Sequence, residues 1–137
     1  MKKQATKIKI CGLTEEKEAD YLNQIHADFA GMVVFFPKSK RNISLDQAKK
    51  IKAALLPEIK TVAVTVSPTL AQISQIAEAG FDLIQIHGEP ADLDIKTAKS
   101  ICEYTNKLSL PILKAFNVSD IDSYNCWQSC PSVAGFV

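Results

Sequence analysis

Residues 60–88 read KTVAVTVSPTLAQISQIAEAGFDLIQIHG, and this stretch holds one complete structural unit. KTVAVTV is a β-branched run of strand length. Ser67, Pro68 and Thr69 then open a helix whose Leu70, Ile73, Ile76 and Ala77 fall on one face, and Gly80 suits its C-cap. DLIQIHG at 82–88 is apolar again and reads as a second strand. A strand, a helix and a strand joined in this way form a right-handed βαβ unit with parallel strands.

The same alternation extends in both directions. Upstream, KIKICGLT at 7–14 is a short strand ending at Cys11, after which Thr14 is a partial cap for a helix striped by Ala19, Leu22, Ile25 and His26. AGMVVFF at 30–36 is a continuous apolar run stopped by Pro37, the pattern of a strand buried on both faces. A polar loop, PKSKRN, follows, and Ser44 caps a helix with Leu45, Ala48, Ile51, Ala54 and Leu55 inward and Pro57 at its end. Downstream, the spacing predicts a helix over about 91–104 and a fifth strand at PILKAF, 111–116. A short helix capped by Ser119 or Asp120 runs to about Gln128, and VAGFV at 133–137 is a sixth strand at the end of the chain. This is an α/β chain forming a single domain over 1–137, with a parallel sheet covered by helices.

Periodicity leaves two architectures open, a doubly wound sheet and a (β/α)8 barrel. CGLT, with one glycine, is not a phosphate-binding loop that would favour the first. Polar residues collect after the strand C-termini, at Cys11, Lys38 to Arg41, Ser67, His87 to Glu89 and Asn117. Both architectures place their sites there, so the clustering locates the site without choosing the fold.

Composition narrows the function classes. A 47% hydrophobic fraction in 137 residues supports a real core, and a net charge of +1 with scattered lysines gives no basic stripe for nucleic acid or an anionic membrane surface. No apolar stretch approaches the roughly 20 residues that span a bilayer. The cysteines at 11, 102, 126 and 130 do not read as a disulfide framework, and with no signal-like N-terminus they point to a reducing, cytoplasmic setting. Cys126 and Cys130 flank Trp127 as C-x3-C, but two further ligands at matching spacing are missing, so packing explains them better than a metal. Lys38 and Lys40 read as solvated loop charges and His26 as structural or exposed, while Lys114 has two possible directions, into a barrel mouth or out between strand and helix.

Five motifs together carry a family resemblance. KICGLT at 9–14, FFPKSKRNIS at 35–44, VAVTVSP at 62–68, IQIHGE at 84–89 and ILKAF at 112–116 resemble, in order and spacing, the successive strand ends of phosphoribosylanthranilate isomerase, a (β/α)8 TIM-barrel enzyme of tryptophan biosynthesis. The first two are specific together; the later three are weak singly. The resemblance implies an intramolecular oxidoreductase of the aldose–ketose type, which converts N-(5-phosphoribosyl)anthranilate to 1-(2-carboxyphenylamino)-1-deoxyribulose 5-phosphate without metal or organic cofactor. A general acid protonates the ribose ring oxygen and opens the ring to an iminium; a general base then takes the C2 proton, so two groups must face one substrate.

By the same resemblance Cys11 is the general base, Arg41 holds the substrate carboxylate, and His87 with Gln85 lines the substrate pocket. The residues fit these roles chemically. A thiol of pKa near 8.5 serves as a base if a positive charge or a helix N-terminus lowers it, and Lys9 stands two residues back on the strand with a helix expected from Thr14. Arg41 is the one arginine beside fifteen lysines, and its planar fork suits a carboxylate better than a lysine does. Taken by residue type alone, Cys11 reads first as a small buried strand-end residue, and His87 also fits a core histidine donating to a carbonyl.

The resemblance also implies what is missing. A complete barrel needs at least about 200 residues, and this chain holds about five and a half βα units, cut within strand six. The family's general acid, an aspartate at the end of that strand, falls just past Val137, so no general acid is expected within the chain, and the glycine-rich turns that hold the phosphate lie further on. The 137 residues by themselves are therefore expected to turn over negligibly. Open edges at strands one and six are expected to favour self-association, or pairing with a complementary fragment that closes the barrel. The alternative is a non-catalytic truncated barrel that binds a ligand or associates through those edges.

Overall fold

The computed structural model describes residues 5–88, 94–117, 119 and 121–137. Its elements alternate as β1 (Lys9–Cys11), α1 (Glu18–Gln24), β2 (Phe29–Val33), α2 (Leu45–Ala54), β3 (Lys60–Val66), α3 (Leu70–Glu78), β4 (Leu83–His87), α4 (Ile95–Lys107), β5 (Ile112–Lys114), α5 (Ile121–Gln128) and β6 (Val133–Phe136). The six strands form one sheet in the order β1-β2-β3-β4-β5-β6, with every neighbouring pair parallel.

That order chooses between the two architectures. A doubly wound sheet reverses direction at a switch point and carries helices on both faces. Here each strand is added beside the last, and all five helices send residues into one core cluster: Leu22, Ile51, Ile73, Ile101 and Trp127 meet Ala30, Met32, Ala63, Ile84, Ile86 and Ile112 from alternate strand positions. Helices thus cover one face, and the opposite face carries Cys11, Val62, Val64, Gln85 and His87, as the period of two along a strand requires. This is part of a (β/α)8 barrel, and the second face is the inner wall. Among the described residues β1 pairs only with β2 and β6 only with β5, and Ile8 and Ile10 stand 46% and 38% exposed at the β1 edge.

Local chemistry accounts for most boundaries. Ser44 accepts from the Gln47 N–H at 3.1 Å, and Thr69 and Gln72 form a reciprocal capping box at the start of α3. Gly80, at φ +75°, ends that helix, and the Lys52 ammonium of α2 donates to the Ala79 carbonyl at 2.8 Å and also to that of Gly80. Leu70, expected to face inward, is 42% exposed, because the first helical position lies at the rim rather than over the sheet. α4 begins at Ile95, capped by Asp94; the expected start at Ala91 and the Asp120 cap fall outside the described residues. No helix among the described residues is long and apolar enough to cross a membrane.

Two expectations need correction. α1 starts at Glu18 rather than Thr14: the Glu18 carboxylate accepts from the Thr14 and Glu15 N–H groups at 2.7 and 2.9 Å, so residues 14–17 form a turn tied down from the helix side. The helix N-terminus is thus seven residues past Cys11 and is not the neighbour the spacing suggested. Second, Cys102 and Cys130 form a disulfide with Cα atoms 5.7 Å apart. Cys102 sits on the buried face of α4 and Cys130 just beyond α5; stacking adjacent βα units brings positions 28 residues apart into contact, a juxtaposition that spacing in the chain does not reveal. Cys130 is therefore not half of a C-x3-C pair, and Cys11 and Cys126 are the free thiols.

Candidate active site

The inner face and the strand C-termini gather the expected residues into two pairs. The first is Cys11 with Arg41. Cys11 ends β1 opposite Gly31 of β2, and the Gly31 carbonyl accepts from both the Gly12 and Leu13 N–H groups, at 2.9 and 3.1 Å, which turns the chain sharply after the cysteine. Gly12 has φ +91°, and a Cβ there would lie 2.5 Å from the Arg41 Cδ. Only a residue without a side chain lets the arginine lie across this turn.

Arg41 reaches β1 because its loop folds back on itself. The Phe36 N–H donates to the Asn42 side-chain oxygen at 2.7 Å, the Arg41 N–H donates to Ser39 Oγ at 3.2 Å, and Ile43 N–H returns to the Val33 carbonyl at 2.9 Å. Arg41 Nη1 then points at the Cys11 carbonyl oxygen from 3.5 Å, leaving most of its donors open to solvent. A guanidinium so placed offers a carboxylate a bidentate partner next to a thiol.

The second pair is Gln85 with His87 on β4. Their Nε2 atoms are 2.7 Å apart, and the Gln85 amide can donate only to an unprotonated ring nitrogen. Burial, with the Lys114 and Lys9 charges adding to it, holds the His87 imidazole below its ordinary range and so favours that neutral form. Gln85 Oε1 is buried without a partner. A cavity of about 590 Å³ opens above this pair, walled by Phe36, Val66, Phe116 and Asn117. No contact joins the two pairs: they stand three strands apart, roughly 14 Å along the sheet.

Other candidates fall outside. Lys114 is fully buried with Ile112 on the helix-facing side, its Nζ 5.6 Å from the Trp127 ring centroid and donating to the Ala115 carbonyl. His26 is an exposed positive-φ residue at the end of α1. Two residues of the Cys11 corner escaped the sequence reading, Gly12 as the support of Arg41 and Gly31 beneath the thiol. A glycine inside an otherwise apolar strand marks a close approach, and GMV at 31–33 carried that signal.

Over residues 8–131 the sequence matches the family described as N-(5'phosphoribosyl)anthranilate (PRA) isomerase. The chain belongs to the PRA isomerase family. A PRA isomerase of Streptococcus gordonii is 37% identical over 114 residues, 82% of this chain and 52% of its own length. The crystal structure of the Thermotoga maritima PRA isomerase superposes with a TM-score of 0.74 at 30% identity, covering 93% of this chain and 60% of that one. A solved structure of a PRA isomerase in complex with reduced 1-(o-carboxyphenylamino)-1-deoxyribulose 5-phosphate superposes with a TM-score of 0.70 at 31% identity, covering 88% of this chain and 59% of that one. The chain spans about half the length of the curated relatives it matches.

Proposed function

We propose that this chain carries the base and carboxylate-binding part of a PRA isomerase site. The observation that carries the proposal is the Cys11 corner, where Arg41 lies across Gly12 with its guanidinium beside the end of β1. Arg41 binds the anthranilate carboxylate through its open donors. Cys11, as thiolate, removes the C2 proton of the ring-opened iminium, and the electron pair passes into the enolamine. Gln85 and neutral His87 line the wall the sugar passes, and the reaction uses no metal or organic cofactor. The protein works in the cytoplasm on a phosphosugar–anthranilate conjugate. The proposal gives no described residue a general-acid or phosphate-binding role, and the isolated chain is expected to turn over negligibly, since transition-state stabilisation needs charge handled at both ends.

Reduced 1-(o-carboxyphenylamino)-1-deoxyribulose 5-phosphate, the compound held by the solved relative, is the probe. In calorimetric titration of the 137-residue chain, Arg41→Lys should weaken binding roughly 10- to 100-fold, the worth of a bidentate charge-assisted pair at about 1.5–3 kcal/mol. Cys11→Ala should leave binding within about twofold. Equal binding by parent and Arg41→Lys would remove the carboxylate role. Turnover by the isolated chain that Cys11→Ala abolishes would refute its expected inactivity.

A second reading, association through the sheet edges, is favoured by the exposed Ile8 and Ile10 at the β1 edge. Concentration-dependent sedimentation tests it: a single monomeric species over a hundredfold range of concentration rules it out.

A further inference from the structure

We propose that Gly31 of β2 is a positioning residue for the Cys11 thiol. The inference rests on the base role given to Cys11, but its geometry is independent of that role. Gly31 is the cross-strand partner of Cys11, and it is buried on the inner face. A Cβ built on it would stand 2.8 Å from Cys11 Sγ and 3.2 Å from both Cα and Cβ of that residue. Sulfur and carbon do not approach so closely, so the thiol lies across the β1–β2 seam in the space that any other residue at 31 would fill. Cysteine has one side-chain torsion with three staggered wells, and filling this space removes one of them. The vacated position is the one from which Sγ overhangs the inner face beside the Arg41 corner.

Gly31 also holds the turn beneath Arg41, through its carbonyl and the N–H groups of Gly12 and Leu13. One residue therefore fixes where the thiol lies and where the guanidinium is supported. Its φ is not in the left-handed region, so backbone freedom does not explain a glycine in the middle of this strand. Glycine there costs strand stability, and the space it leaves is what the thiol uses. Gly135, at the other end of the sheet, makes a useful contrast. A Cβ there meets Leu113 Cδ2 at 3.4 Å, an ordinary contact.

The test uses the full chain with Cys126→Ser, so that Cys11 is the free thiol outside the 102–130 disulfide. Two readouts apply, the Hα–Hβ coupling constants of Cys11, which report its rotamer, and the rate of its alkylation by iodoacetamide. Gly31→Ala should change the couplings to those of another rotamer and slow alkylation at least threefold, because the added methyl stands where the reagent and the thiol meet. Gly135→Ala should leave both unchanged. If Gly31→Ala does not fold, Cys11→Ala/Gly31→Ala should regain the fold, since the closest obstacle is gone. Unchanged couplings and rate in Gly31→Ala, or a double variant no more stable than Gly31→Ala, would overturn the proposal. These measurements read the thiol's position alone, so their outcome is independent of the base role given to Cys11.

Discussion

Replacing Gly12 by alanine tests the Cys11 corner from the other side. At φ +91° the residue lies beyond the small left-handed region open to L-residues, and holding alanine there costs of order 1–3 kcal/mol. Alanine also lowers the entropy of the unfolded chain, which returns about 0.4–1 kcal/mol. The clash with Arg41, 2.5 Å to Cδ and 2.8 Å to Nη1, adds little to this sum because an exposed arginine moves aside. The net destabilisation is about 1–2 kcal/mol, or roughly 4–8 °C in Tm for a domain of this size. The displaced guanidinium no longer sits beside β1, so affinity for the reduced carboxyphenylamino analogue should fall about as far as in Arg41→Lys. Urea unfolding and calorimetric titration of Gly12→Ala read the two effects separately. Adding Arg41→Ala should leave the stability of Gly12→Ala unchanged, since the strain is in the backbone. Affinity within twofold of the parent in Gly12→Ala would refute the claim that Gly12 supports Arg41.

Other expectations come from the same contacts. Glu18 accepts two backbone N–H groups ahead of α1, so Glu18→Ala should cost about 1 kcal/mol in urea unfolding. Its carboxyl is held below the ordinary 4.5, chiefly by the Thr14 N–H; that stabilisation is complete above 4.5 and lost as pH falls through the folded value, so parent and variant should converge in acid. His87 is held below its ordinary 6.5 by burial first and then by Lys114 and Lys9, so the unfolded chain takes up the proton first. Stability should therefore fall as pH drops below 6.5, His87→Gln should flatten that slope, and the ring should titrate below 6.5 by NMR. The Cys102–Cys130 bond closes a 28-residue separation, for which chain entropy gives roughly 3–4 kcal/mol. Unfolding with and without dithiothreitol measures this.

Much of this protein is written locally and was legible for that reason. KTVAVTV is a strand over its whole length, Ser44 and Thr69 cap the helices that their side chains predict, and Gly80 ends α3. Each depends on neighbours within four residues. The strand ends carrying Cys11, Arg41, Gln85 and His87 were legible as the candidate site because parallel βα units place their chemistry there. What failed was also local in cause: Thr14 looked like a cap, but the Glu18 carboxylate reaches back to the Thr14 and Glu15 N–H groups and ties residues 14–17 into a turn ahead of the helix.

Tertiary structure decided the rest, since it depends on which units become neighbours. Strand order separated barrel from doubly wound sheet, because both are built from the same βαβ pattern and differ only in where each strand is added. Stacking of α4 against the end of the next unit made a disulfide of two cysteines that spacing kept apart. The cross-strand register set Gly31 under the Cys11 thiol, and the folded-back loop laid Arg41 over Gly12. Sequence by itself named the thiol and the guanidinium; long-range packing supplied the two glycines that make room for them, because room for a side chain is a property of its neighbours in space.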